Sequence, residues 1–93
     1  MKKIRINLTI AEITALNRIA SRTKMNCWFS LSTDREGYDC VYNLERRRHI
    51  TLRYGVKLLR EGIERFSPDE LVHLGISMLE QKIFENLCKR LEV

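Results

Sequence analysis

The sequence predicts an α+β fold in the order β-α-β-β-α-α: a three-stranded sheet with helices on one face and a long C-terminal helix. Three observations carry this expectation. Ile4, Ile6 and Leu8 alternate with Lys3, Arg5 and Asn7, the period of a half-buried strand. Two further alternating runs occupy residues 27–44. From Thr51 onward the apolar residues recur every three or four positions instead, as on one face of a helix.

The first helix should begin at Thr9, because Thr9 and Glu12 spell the T-x-x-E capping box in which each side chain satisfies an amide at the helix start. Ile13, Leu16, Ile19 and Ala20 form its buried stripe, Asn17, Arg18, Ser21 and Arg22 face outward, and it ends near Lys24. A hairpin follows. Cys27, Phe29 and Leu31 alternate with Trp28, Ser30 and Ser32; after Asp34-Arg35-Glu36-Gly37, Cys40, Tyr42 and Leu44 alternate with Asp39, Val41 and Asn43. A loop at 34–37 sets Leu31 opposite Cys40, Phe29 opposite Tyr42 and Cys27 opposite Leu44, the register that keeps apolar residues together. The pattern leaves open which of these strands neighbours the opening one. Arg5, Asn7, Trp28, Ser30, Ser32, Val41 and Asn43 should line the solvated face.

Thr51 is placed to cap a second helix with the stripe Leu52, Val56, Leu59, Ile63 and Phe66. Gly55 and Gly62, seven apart, fall on one side of it and point to a close neighbour there. Ser67-Pro68-Asp69-Glu70 then supplies an N-cap, a proline where no amide is needed, and two acids at the positive end of the helix dipole. The helix it opens should run to about Leu91, where its ~24 residues would span roughly 36 Å. Val72, Ile76, Leu79, Ile83, Leu87 and Leu91 line one stripe, with Phe84 and Cys88 beside it. That is more apolar length than so small a core can cover, so the distal half should meet another chain or fold back at a break, and of these a homodimer is expected.

Ninety-three residues, 44% hydrophobic and 31% charged, describe one globular domain spanning 1–93. No apolar run approaches the ~20 residues a membrane helix needs, and no apolar stretch follows Lys2 and Lys3 as a secretory signal requires. A cytoplasmic protein is expected. Cys27, Cys40 and Cys88 lack C-x-x-C spacing, and His49 and His73 stand apart from them, so no disulfide framework, metal site or cofactor is implied. Neither a glycine-rich phosphate loop, a nucleophile elbow nor an H-E-x-x-H helix is present, which favours a non-enzymatic protein. A pocket uniting Cys40, His49 and an acid would revive catalysis.

The net charge of +5 is uneven. Residues 1–25 hold six Lys/Arg against Glu12, whereas residues 67–93 hold three basic and five acidic groups. Arg46, Arg47 and Arg48 precede the second helix, and Arg53, Lys57 and Arg60 repeat along it. Such a ridge suits successive phosphates. Its ordinary alternative is a solvated face neutralised by Lys57–Glu61 and Arg60–Glu64 pairs at i, i+4. Trp28, on the open face of the hairpin, is covered by a helix, stacked on a base, or buried in a partner interface.

Residues 2–26, with their alternating strand, Leu8-Thr9 junction, Ile13/Leu16/Ile19/Ala20 helix and Met25-Asn26 turn, resemble the ribbon-helix-helix DNA-binding family. That resemblance implies paired strands in the major groove, with Lys3, Arg5 and Asn7 reading base edges. It also calls for a second helix starting near Asn26, where this sequence alternates as a strand. The whole chain is similar in style to small basic proteins of bacterial prophages and mobile elements, among them transcription factors and inhibitors of host defence proteins.

Two readings therefore stand ahead of catalysis, the first narrowly ahead of the second. One is a nucleic-acid-binding regulatory module using Lys3, Arg5, Asn7, Arg46, Arg47, Arg48, Arg53 and Lys57, with a ribbon-helix-helix-like repressor as a variant. The other is a protein-interaction module or anti-defence inhibitor using Trp28, Phe84, Leu87 and Leu91.

Overall fold

A computed structural model describes residues 8–25, 27–33, 39–43 and 48–93; among the strand residues, it describes the side chains of Phe29, Ile50 and Thr51. Three strands and four helices follow one another: α1 (Ile10–Arg22), β1 (Cys27–Thr33), β2 (Asp39–Asn43), β3 (Arg48–Thr51), α2 (Leu52–Ile63), α3 (Pro68–His73) and α4 (Met78–Arg90). The strand backbones form an antiparallel ladder in the order β1-β2-β3.

The expected β-α-β-β-α-α fold, a three-stranded sheet with helices on one face, is overturned. Among residues described with their side chains, 70% are helical and 5%, namely Phe29, Ile50 and Thr51, are extended. The first described element is a helix. The third strand of the backbone ladder is Arg48–Thr51, a segment whose basic composition reads as a lead into α2. Met1–Asn7, where the opening strand was expected, lie outside the described residues.

The hairpin register is corrected too. Cys27 pairs with Asn43, Trp28 with Tyr42 and Phe29 with Val41; then the register shifts, so that Thr33 pairs with Asp39. Between Phe29 and Thr33 β1 advances four residues while β2 advances two, an irregularity that offsets the pairs on its two sides, and Phe29 stands opposite Val41 rather than Tyr42.

The long C-terminal helix is two helices. Gly75, at φ +92°, accepts a backbone conformation that a side chain disfavours. It ends α3 with paired bonds from the Gly75 amide to the Val72 carbonyl and from the Ile76 amide to the Leu71 carbonyl, both 2.9 Å. This is the Schellman arrangement, with buried Ile76 packed into the core beside Leu71. Ser77 and Glu80 then form a new capping box, at 3.1 and 3.0 Å. Gly75→Ala should cost roughly 1–2 kcal/mol through the left-handed backbone alone, since the added carbon meets Arg22 Nε at 3.4 Å, an ordinary van der Waals contact. Urea denaturation would read this as a lower midpoint at unchanged slope.

The turn lets the C-terminal part fold onto the chain's own core. Leu16, Ile19, Phe29, Val56, Leu59, Ile76, Leu87 and Leu91 are each at most 1% exposed. Phe84, Leu87 and Leu91, expected at a partner interface, are 3%, 0% and 1% exposed and are interior groups. Of the stripe behind the expected homodimer, Ile76, Leu87 and Leu91 are covered within one chain, whereas Val72 and Leu79 are exposed. Gly55 and Gly62 are buried on α2, and Gly62 is overlain by Met25, whose sulfur would lie 2.8 Å from an added Cβ.

Two polar ties fix α1. The Asn17 side chain donates to the Phe29 carbonyl (2.9 Å) and accepts from the Phe29 amide (2.7 Å), acting as a one-residue strand neighbour along β1. At the other end Glu12, which caps α1 through Thr9, accepts from Arg90 Nη1 at 2.7 Å. Burial alone would raise the Glu12 pKa, but the Thr9 bonds and Arg90 outweigh it and hold the carboxyl below its ordinary 4.5. A carboxylate depressed in the folded state adds stability above the unfolded value, and that contribution is lost as pH falls through the folded one. Glu12→Gln should therefore lessen the loss of stability between pH 7 and pH 4, compared with wild type by urea midpoints.

Candidate functional site

A half-open cleft of about 490 Å³ lies where α2, α3 and α4 meet. Its position follows from the α3 turn. Because α4 restarts at Ser77, it leaves α3 and exposes a furrow that one continuous helix would not have. Ile63 from the end of α2 and Phe66 from the turn after it, with Leu71, Ile76, Phe84 and Cys88, supply an apolar floor. Gln81 seals the end nearest α3, its amide donating to the Pro68 and Ile76 carbonyls at 3.1 and 3.2 Å.

The rim is charged and balanced. Arg60 and Glu64 stand on the α2 side, paired at 3.8 Å; Glu85 and Lys89 stand on the α4 side, paired at 3.9 Å. Both pairs are long and solvated, and contribute little to stability. Cys88, on the floor, has its thiol pushed up to about 11, chiefly by burial, with Arg60 opposing and Glu85 adding to the rise. At neutral pH it is a protonated packing group rather than a nucleophile.

The basic ridge of α2 is largely engaged within the chain. Arg53 Nε and Nη2 donate to the Leu91 and Glu92 carbonyls, each at 3.0 Å, and Arg60 Nη1 donates to the Val93 carbonyl. These carbonyls follow the end of α4, where the helix leaves acceptors unsatisfied and the dipole favours cations. Lys57 is exposed between the two arginines and lines a second concavity of about 540 Å³ with them. The Arg60–Glu64 neutralisation is present.

Of the other residues singled out by sequence, Lys3, Arg5, Asn7, Arg46 and Arg47 lie outside the described residues. Arg48 opens β3 and Trp28 pairs with Tyr42 through the backbone; their side chains lie outside the description. Sequence reasoning missed the cleft, and the signal for it was the Gly75 and Ser77-x-x-Glu80 break. Among the described residues no group of three or more His, Cys, Asp or Glu is gathered where it could hold a metal ion. Nor is any described helix long and apolar enough to cross a membrane. No family model, curated protein or solved structure matches the chain.

Proposed function

We propose that this chain is a non-enzymatic, cytoplasmic protein-interaction module that receives a protein partner in the cleft between α2, α3 and α4. The observation that carries the reading is the cleft itself: an apolar floor that surfaces at half-buried Ile63 and Phe66, within a rim that holds equal numbers of acids and bases. Apolar pockets ringed by polar groups are where binding energy concentrates. The buried, protonated Cys88 adds no chemistry to it. Ile63, half-buried at the edge of the floor, is the residue to change. Affinity enrichment with wild type should recover a stoichiometric partner whose binding weakens at least tenfold, roughly 1.4 kcal/mol, with Ile63→Glu. Equal recovery by both proteins would exclude the cleft.

A nucleic-acid-binding regulatory role is the second reading, favoured by charge placement. Residues 50–93 hold seven basic and seven acidic groups, so the whole +5 belongs to the first 49 residues. Lys3, Arg5, Asn7 and Arg46–Arg48 would carry it, with Lys57 a lesser contributor. Its signature is DNA or RNA binding that falls steeply between 50 and 200 mM salt; no binding at low salt removes it. The repressor variant lacks support from the backbone at 27–33, which is extended where that family places its second helix.

A further inference from the structure

We infer that Met25 is a modification site at which a peroxide adds oxygen to the sulfur from one side only, giving a single sulfoxide epimer. The pose of the thioether on α2 closes the other side. A Cβ built on Gly62 would stand 2.8 Å from Met25 Sδ and 3.3 Å from both Cγ and Cε. A point in the C–S–C plane beyond the sulfur would be much farther from the two carbons than from the sulfur. Equal and only slightly longer distances to the carbons place the point above that plane, over the sulfur. Buried Gly62 therefore faces one of the two lone-pair sides of Met25, and α2 blocks it.

The backbone holds Met25 in this pose. Lys24, at φ +59°, ends α1 in the left-handed region, and the Met25 amide donates to the Ala20 carbonyl at 2.8 Å. In such a helix end the residue after the left-handed one packs its apolar side chain back onto the fold. Met25 is half-buried against the core. With α2 on one side of the sulfur, the solvent it meets is on the other. The step balances with hydrogen peroxide as co-reactant. A sulfur lone pair attacks one peroxide oxygen, and the S–O bond forms as the O–O bond breaks. The second oxygen takes the proton of the first and leaves as water, so sulfur loses two electrons and peroxide gains them. Each sulfoxide epimer is reversed by its own class of reductase. The packing of α1 on α2 thus selects the class that restores Met25.

Met78, 60% exposed at the start of α4, is the control within the same chain. The test oxidises the folded protein with hydrogen peroxide, quenches it, and digests it. The peptides are then treated with each epimer-specific reductase, and mass spectrometry follows Met25 and Met78 separately. Met25 should hold one epimer in at least about tenfold excess, the ratio that a barrier difference of roughly 1.4 kcal/mol gives. Met78 should hold both in near-equal amounts, and so should Met25 when the chain is oxidised in urea. Gly62→Ala, whose methyl must displace the thioether, should lower the excess at Met25, with circular dichroism checking its fold. The comparison of folded with unfolded wild type stands without that variant. Near-equal epimers at Met25 in the folded protein would overturn the inference. So would an excess that persists in urea, or a Met25 left unoxidised when Met78 is fully converted. An excess that folded Gly62→Ala leaves unchanged would overturn α2 as the closed side.

Discussion

Leu87→Ala is expected to lower the free energy of unfolding by about 2–5 kcal/mol, the range for emptying a close-packed leucine site. Leu87 is fully buried between α4 and the rest of the core, so its removal forfeits both the transfer of the side chain from water and its dispersion contacts. Val72→Ala is the internal comparison. Val72 belongs to the same apolar stripe in sequence but is 45% exposed, and its loss should fall within about 0.5 kcal/mol. Urea midpoints of the two variants decide between one continuous helix and two. A continuous helix treats Val72 and Leu87 as equivalent members of one face. The break at Gly75 places them on opposite sides of the packing problem.

That contrast shows where the sequence was legible. Capping signals are local, so Thr9 with Glu12 and Ser67 with Pro68 and Glu70 are readable without knowledge of the fold, and the structure has both boxes. The Gly75 turn was equally local. It was obscured because Val72, Ile76, Leu79 and Ile83 continue the helical spacing across it, although Leu79 is 67% exposed while Ile76 is 1% exposed. Periodicity records that a face is apolar and not which turn of it is covered. With α3 and α4 separate, α4 has 13 residues and spans about 20 Å, within the 24–26 Å width of the molecule.

The hairpin was misread for a different reason. Alternation specifies which residues share a face, but a bulge changes the partner without changing the alternation on either side. Ile63 was correctly placed on the α2 stripe while Phe66 falls in the turn beyond it, yet only the separation of α3 from α4 leaves them beside open space. The α2 arginines misled in the opposite sense. Their spacing suits phosphates, but the same spacing brings Arg53 and Arg60 to the carbonyls beyond α4, which no local pattern announces.

Asn17→Leu is expected to cost about 2–4 kcal/mol, because it leaves the Phe29 amide and carbonyl without their partner in a partly buried setting. Sequence alone assigned Asn17 to the outer face of α1, where its loss would be nearly neutral. In the structure its amide is complementary to both backbone groups of Phe29, and among the described residues β1 lies at the edge of the ladder, where unpaired backbone invites association with other chains. Asn17→Asp separates the two bonds. An ionised carboxylate still accepts from the Phe29 amide but opposes the Phe29 carbonyl, so the folded state raises its pKa. Protonation restores a donor. Relative to Asn17→Leu, Asn17→Asp should therefore gain stability as pH falls and lose it as the carboxyl ionises. Urea midpoints across pH 4–8, with sedimentation to follow association through the freed edge, read both effects. Parallel pH profiles for the two variants would mean that the carbonyl bond to Asn17 contributes nothing.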